Sequence, residues 1–121
     1  EQEEWYQKYL MRENDIMFSL YLDDGTWSGV VGLYDIDIVQ KTAEFGRLMI
    51  DKDFVNERGL GVDVTKGITN FAVEILHLQK VVLEVFEDNE AALKTYERAG
   101  FRNTNEVKML DDGRRLLIME N

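Results

Sequence analysis

Apolar and polar positions first follow a strand pattern and then switch to a helical period. Ile16 to Leu22 (IMFSLYL) is dense in strand formers, and Trp27 to Ile38 (WSGVVGLYDIDI) is a second such run. Asp23-Asp24-Gly25 joins them, and two apolar runs linked through Asp-Gly predict an antiparallel hairpin. Gly29 and Gly32 in the second run mark a bulge or a close neighbouring backbone. The polar turn Gln40-Lys41-Thr42 leads to a third strand, Ala43 to Asp51 (AEFGRLMID). Val64, Ile68, Phe71 and Ile75 then recur at spacings of 4, 3 and 4, one stripe of a helix that ends near His77 to Gln79. Lys80 to Phe86 (KVVLEVF) predicts a buried strand. A second helix is expected from Asn89 to Ala99, with Asp88 or Asn89 as N-cap and Gly100 at C′. Phe101 to Leu110, the turn Asp112-Gly113 and Arg114 to Glu120 predict a second hairpin. At the start, Glu1 to Arg12 sets Trp5, Leu10 and Met11 among charges, acidic first and Lys8 and Arg12 last. The helix dipole favours that order, which predicts an amphipathic helix.

The pattern is that of a mixed α+β domain with helices packed on a sheet. A chain of 121 residues holds one core, so residues 1–121 are read as a single domain. Basic residues number 14 and acidic ones 24, a net charge of −10. Such a chain repels nucleic acid at long range, so no nucleic-acid partner is expected, whereas a small anionic ligand feels only local groups. Cysteine is absent, which excludes disulfides, Cys-liganded zinc and a Cys nucleophile. His77 is the single histidine and cannot build a multi-His metal site, and no metal is expected. Ser19 and Ser28 are the serines, and neither sits in a G-x-S-x-G elbow. No apolar run approaches the ~18 residues of a membrane span, and no secretory signal is recognisable. No membrane partner is expected, and the expected location is the cytoplasm.

Two segments can carry chemistry. Arg58-Gly59-Leu60-Gly61-Val62-Asp63 falls between a strand and a helix. Its glycines let a ligand approach the backbone, the helix start presents free N–H groups, and Arg58 adds a full charge, a combination that suits a phosphate. A plain helix-starting turn would have the same glycines. The second segment is Asp88-Asn89-Glu90-Ala91-Ala92-Leu93-Lys94-Thr95-Tyr96-Glu97-Arg98-Ala99-Gly100-Phe101. Tyr96 lies about two helical turns after Asn89, on the same face, with small Ala92 between them. Asn89 offers a donor and an acceptor to an amide-containing ligand. Read structurally, Asn89 is a cap and Tyr96 a core aromatic.

Taken together, the order strand, R-G-L-G, helix, strand and D-N-x-A-A-x-x-x-Y-x-x-x-G-F resembles the GNAT superfamily of acetyl-CoA-dependent N-acetyltransferases. The most specific stretch of the match runs from Glu44 to Phe101. The resemblance implies a mostly antiparallel sheet flanked by helices. It implies that the amides from Gly59 to Asp63, with Arg58, Leu60, Gly61 and Val62, hold the CoA pyrophosphate. Leu48, Met49 and Ile50 fall where the family's strand pairs with the pantetheine arm, and Asn89 where a side chain contacts the cofactor. Tyr96 falls at the family's usual general acid, which protonates the leaving thiolate. Asp63 departs from the family's Gly or Ala and places a carboxylate near a polyphosphate, which weakens donor binding unless it points away. The family's first strand and helix have no counterpart before Glu1, so the domain is expected to be incomplete at its N-terminus.

The implied reaction is direct attack of a primary amine on the thioester of acetyl-CoA. Glu44 is the candidate base or water-organising group and Asp51 a weaker one; both residue types are also common as solvated strand-end carboxylates. His77, near a helix end, reads as a dipole partner rather than a catalyst. The acceptor is an amine on a small molecule or peptide, with an amino-sugar nucleotide, a polyamine and a protein N-terminus as candidates, and a homodimer is compatible with the reading. Excess acidity suits a polyamine. Two other classes share the motifs: a non-catalytic acyl-CoA-binding module, and an interaction domain in which the glycines and tyrosine are structural.

Overall fold

β-Branched and aromatic residues crowd the first half of the chain, and ladder pairing organises it. The computed structural model describes residues 5–12, 14–22, 24–50 and 60–121. Strands β1 (Trp5–Arg12), β2 (Asp15–Leu22), β3 (Trp27–Asp37) and β4 (Thr42–Ile50) form an antiparallel meander. The helix expected from Glu1 to Arg12 is thus corrected to a strand over Trp5–Arg12, every residue of which pairs with β2. Trp5, Tyr6 and Tyr9 favour an extended chain. The charge order contributes only about 0.3–1 kcal/mol per group to a helix, which does not outweigh a full ladder. Asp23 and Asp51, which belonged to the expected first turn and third strand, lie outside the described residues.

Helix α1 (Leu60–Glu74), strand β5 (Lys80–Phe86), helix α2 (Glu90–Arg98), and strands β6 (Arg102–Met109) and β7 (Arg115–Glu120) complete the described chain. The seven strands form one sheet in the order β1-β2-β3-β4-β5-β7-β6. Every neighbouring pair is antiparallel except β4–β5, which is parallel and joined through α1. The expected α+β class and mostly antiparallel sheet are observed. Gly100 follows α2 with φ 104° and Gly113 turns the last hairpin with φ 89°, conformations that glycine adopts without a Cβ penalty. His77 lies beyond the end of α1, exposed and with φ 58°, rather than in the helix's last turn.

Both described helices pack on the same face. Ile16, Phe18, Leu20, Val31, Leu33, Ala43, Phe45, Val81, Leu83, Val85 and Met119 are buried apolar strand residues of that face, and their register keeps them together. Val64, Ile68 and Ala72 face them from α1, whereas Ile75 lies past the helix end and is exposed. The Phe18 ring meets Phe71 of α1 edge-on at 5.3 Å. Buried Thr65 and Thr69 donate their hydroxyls to the carbonyls of Gly61 and Thr65, one turn back at 2.7 Å, so neither leaves a polar atom stranded in the core. Phe45 links the sheet to α2 through Tyr96, with centroids 6.0 Å apart, and also packs beside Phe101.

Phe45 is therefore the contact through which β4 positions α2. Replacing Phe45 with Ala should cost about 3–5 kcal/mol, the usual range for a buried aromatic. Urea denaturation measures it; a loss below about 1 kcal/mol would show that α2 docks by other contacts.

Candidate active site

Parallel pairing between β4 and β5 is short. Its register runs through Thr42↔Lys80, Ala43↔Val81 and Glu44↔Val82 and then stops, although β4 continues to Ile50 and β5 to Phe86. Beyond Val82, β5 stays paired with β7 as far as Phe86↔Leu116. On its other side β4 is bulged: Val30↔Met49 and Gly32↔Gly46 set two residues, Arg47 and Leu48, opposite Val31, and Arg47 has φ 57°. The carboxyl-terminal halves of β4 and β5 thus diverge, and the backbone of Phe45 to Ile50 is outside the β4–β5 ladder. A gap at the carboxyl ends of adjacent parallel strands is a general place for a ligand.

Both helices begin on this side. α2 follows β5 after a three-residue turn, Glu87 to Asn89. α1 follows β4, and its first turn packs on α2: a Cβ placed on Gly61 would lie 3.3 Å from Thr95 Cγ2. The glycine therefore has a packing reason of its own. The same contact brings Gly61 against the residue that precedes Tyr96. The first amides of α1, from Leu60, have no intrahelical acceptor, the arrangement that suits an anion. Val62 is half-buried and Asp63 exposed in that turn, where the dipole favours a carboxylate. Arg58 and Gly59 lie outside the described residues.

Tyr96 is half-buried and rests between Phe45 and Phe101. Burial pushes its phenol above the ordinary range, so it is protonated at neutral pH. Asn89 caps α2, its side-chain carbonyl accepting from the Ala92 N–H at 3.1 Å. The structural role at Asn89 is thus observed, and its side-chain amide donors remain for a second partner. Leu48 is half-buried against the core, whereas Met49 is 69% exposed. Ile50 is placed only as the last residue of β4.

Successive strand residues point to opposite faces, so Glu44 lies on the face away from Phe45, Tyr96 and the helices. It is directly opposite Tyr34 of β3, whose hydroxyl donates to Glu44 Oε2 at 3.2 Å. Burial pushes the Glu44 carboxyl up, and Glu84 and Asp35 add to the rise, while the Tyr34 hydrogen bond and Lys108 oppose it. Burial and then Glu44 push the Tyr34 phenol up to about 12. The Arg47 guanidinium lies over the Tyr34 ring, 4.3 Å from its centroid. A cavity of about 350 Å³ opens beside this group, lined by Asp15, Met17, Gly32, Tyr34 and Arg47 among others. Sequence reasoning passed over Tyr34 and Arg47. The available signal was Gly46, a glycine inside a strand, which marks a bulge or a close approach.

The description "Acetyltransferase (GNAT) domain" belongs to a family model that matches residues 1–102. Spermine/spermidine N(1)-acetyltransferase of Bacillus subtilis strain 168 is 29% identical over 79 residues, 62% of this chain and 51% of that protein. Spermidine N(1)-acetyltransferase of Escherichia coli K12 is 28% identical over 102 residues, 84% of this chain and 53% of that protein. The chain spans about half the length of these curated relatives. Among solved structures, spermidine N-acetyltransferase from Vibrio cholerae, in complex with CoA and spermine, superposes with a TM-score of 0.80. It shares 21% identity, and the match covers 90% of this chain and 66% of that one. At that identity the likeness is one of fold.

The cap at Asn89 has a measurable signature. Asn89→Ala should lower stability by about 1 kcal/mol, whereas Asn89→Asp should not, because its carboxylate accepts the same bond at the positive helix end. Urea midpoints distinguish them, and equal losses in both would show that the side-chain carbonyl does not hold α2.

Proposed function

The chain belongs to the GNAT acetyltransferase family, and from that premise we propose that it transfers an acetyl group from acetyl-CoA to a primary amine. One observation carries the reading: the first turn of α1 meets α2 at Gly61 and Thr95, beside Tyr96 and the divergent ends of β4 and β5. A thioester on an extended arm fits between those strands, with Leu48 to Ile50 as the backbone edge it pairs with and Asn89 as a further amide partner. Its pyrophosphate meets the amides from Gly59 to Asp63, with Arg58 as counter-charge. Acetyl-CoA enters as co-substrate, and the step calls for no metal.

The proposed chemistry uses both faces of the sheet. The acceptor amine approaches on the Glu44 face and gives a proton to that carboxylate, whose raised proton affinity suits a base. The amine nitrogen bonds to the acetyl carbon and the carbon–sulfur bond breaks. The departing thiolate takes the phenolic proton of Tyr96 from the helix side. We assign the acceptor to the polyamine class. Asp15, Asp35, Glu44 and Glu84 surround or flank Tyr34 on the acceptor face, the whole chain carries −10, and the relatives are named for spermine and spermidine. Residues 1–121 act in this reading as one domain of the family.

An acetyl-CoA turnover screen tests the reading, with spermidine, spermine, amino sugars and peptides as acceptors and release of free thiol as readout. Polyamine turnover is expected to exceed that of the other classes. Tyr96→Phe keeps the ring against Phe45 and Phe101, so CoA affinity should stay within about twofold while single-turnover rate falls roughly 10²-fold. CoA binding with no turnover on any amine would instead identify an acyl-CoA-binding module. Full single-turnover activity of Tyr96→Phe would assign the tyrosine to packing.

A further inference from the structure

The strand pair Tyr34–Glu44 sits between two irregularities. Tyr34↔Glu44 and Asp37↔Thr42 place Asp35 and Ile36 opposite Ala43, a bulge in β3 with Asp35 at φ 53°. Three residues after Glu44 comes the β4 bulge, with Arg47 at φ 57°. Non-glycine residues rarely adopt this conformation, and when they do it often accompanies a functional site. Here the second bulge turns the Arg47 guanidinium over the Tyr34 ring. Gly46 completes the seat. A Cβ there would collide with the Tyr34 hydroxyl and lie 3.1 Å and 3.2 Å from Cε1 and Cζ, so the ring lies where only glycine leaves room. The phenol is thus fixed by Gly46 beneath and Arg47 above, with its hydroxyl aimed at Glu44 Oε2. It also lines the cavity on this face.

We propose that Tyr34 is a positioning residue for acetyl transfer: clamped between Gly46 and Arg47, it orients the Glu44 carboxylate toward the acceptor amine. The inference rests on the acetyltransferase reading, and its test separates the two. Held by one oxygen, the carboxylate keeps the other free to accept the amine proton. The charged and titratable groups facing Glu44 are Tyr34 and Asp35 of β3, Glu84 of β5 and Lys108 of β6, and Arg47 of its own strand covers Tyr34. Lys108 is itself shared with Glu84, 3.4 Å away. Deleting the Tyr34 hydroxyl removes a group that favours the charged carboxylate and leaves burial, Glu84 and Asp35, which disfavour it. Glu44 then binds its proton at higher pH, so less of it is competent as a base near neutrality.

The experiment compares the wild-type protein with Tyr34→Phe, which keeps the ring and its stacking under Arg47. Carbon-13 NMR follows the Glu44 carboxyl through a pH titration, and kcat/KM is measured across the same range with spermidine as acceptor. The Glu44 midpoint and the acidic limb of kcat/KM should both move to higher pH in the variant. Near neutrality kcat should fall about tenfold, with the part due to protonation of Glu44 recovered above the limb and the part due to lost orientation persisting. KM for acetyl-CoA should stay within about twofold. Gly46→Ala, which keeps the hydroxyl but displaces the ring, should shift the Glu44 midpoint the same way. An unmoved Glu44 midpoint, or a loss of rate uniform across pH, would assign Tyr34 to packing and overturn the proposal while leaving the acetyltransferase reading intact. Absence of wild-type turnover on every amine would overturn the acetyltransferase reading, and the positioning role with it.

Discussion

Everything about the candidate site depends on the early parting of two parallel strands. β4 and β5 share only three register pairs before they separate. The separation is held from both sides. β7 continues to pair β5 out to Phe86, and the bulge at Arg47 re-aims β4. A ladder that ends inside the sheet leaves backbone donors and acceptors without a strand partner. Such groups are costly to bury unsatisfied, so the gap favours an extended ligand that can supply hydrogen bonds of its own. The start of α1 then adds amides with no acceptor inside the helix, held close by the contact of Gly61 with Thr95.

Because strand residues alternate between faces, adjacent Glu44 and Phe45 serve different compartments. Phe45 is buried and fastens Tyr96 on the helix side. Glu44 lies among Tyr34, Glu84 and Lys108 on the other side. A single strand thereby places a carboxyl on one side of the gap and, through its neighbour's ring, a phenol on the other. Burial raises the proton affinity of both groups.

Local patterning carried most of the fold. Lys80–Phe86 appears with the expected bounds, and Asn89 and Gly100 punctuate α2 as cap and C′ residue. The α1 stripe was visible at Val64 and Ile68, though Ile75 lies past the helix end and is exposed. Residues 5–12 went astray because the pairing that makes them a strand is contributed by β2, not by their own periodicity. The contact of Gly61 with Thr95 was not legible in the sequence, since thirty-odd residues and a strand separate them. The Tyr34–Gly46–Arg47 seat left only Gly46, a glycine inside a strand, as a signal in the sequence. It depends on an arginine in a left-handed conformation, which no residue preference announces.

The central claim is that the gap between β4 and β5, with the start of α1, is where CoA binds. Amide chemical-shift mapping of the protein titrated with CoA tests it most directly, because it needs neither an acceptor nor turnover. The largest shifts should fall on Gly61 to Asp63, on Phe45 to Ile50, and on Thr95 and Tyr96. Shifts confined to β1, β2 and the β6–β7 hairpin, or no shifts at saturating CoA, would contradict the claim.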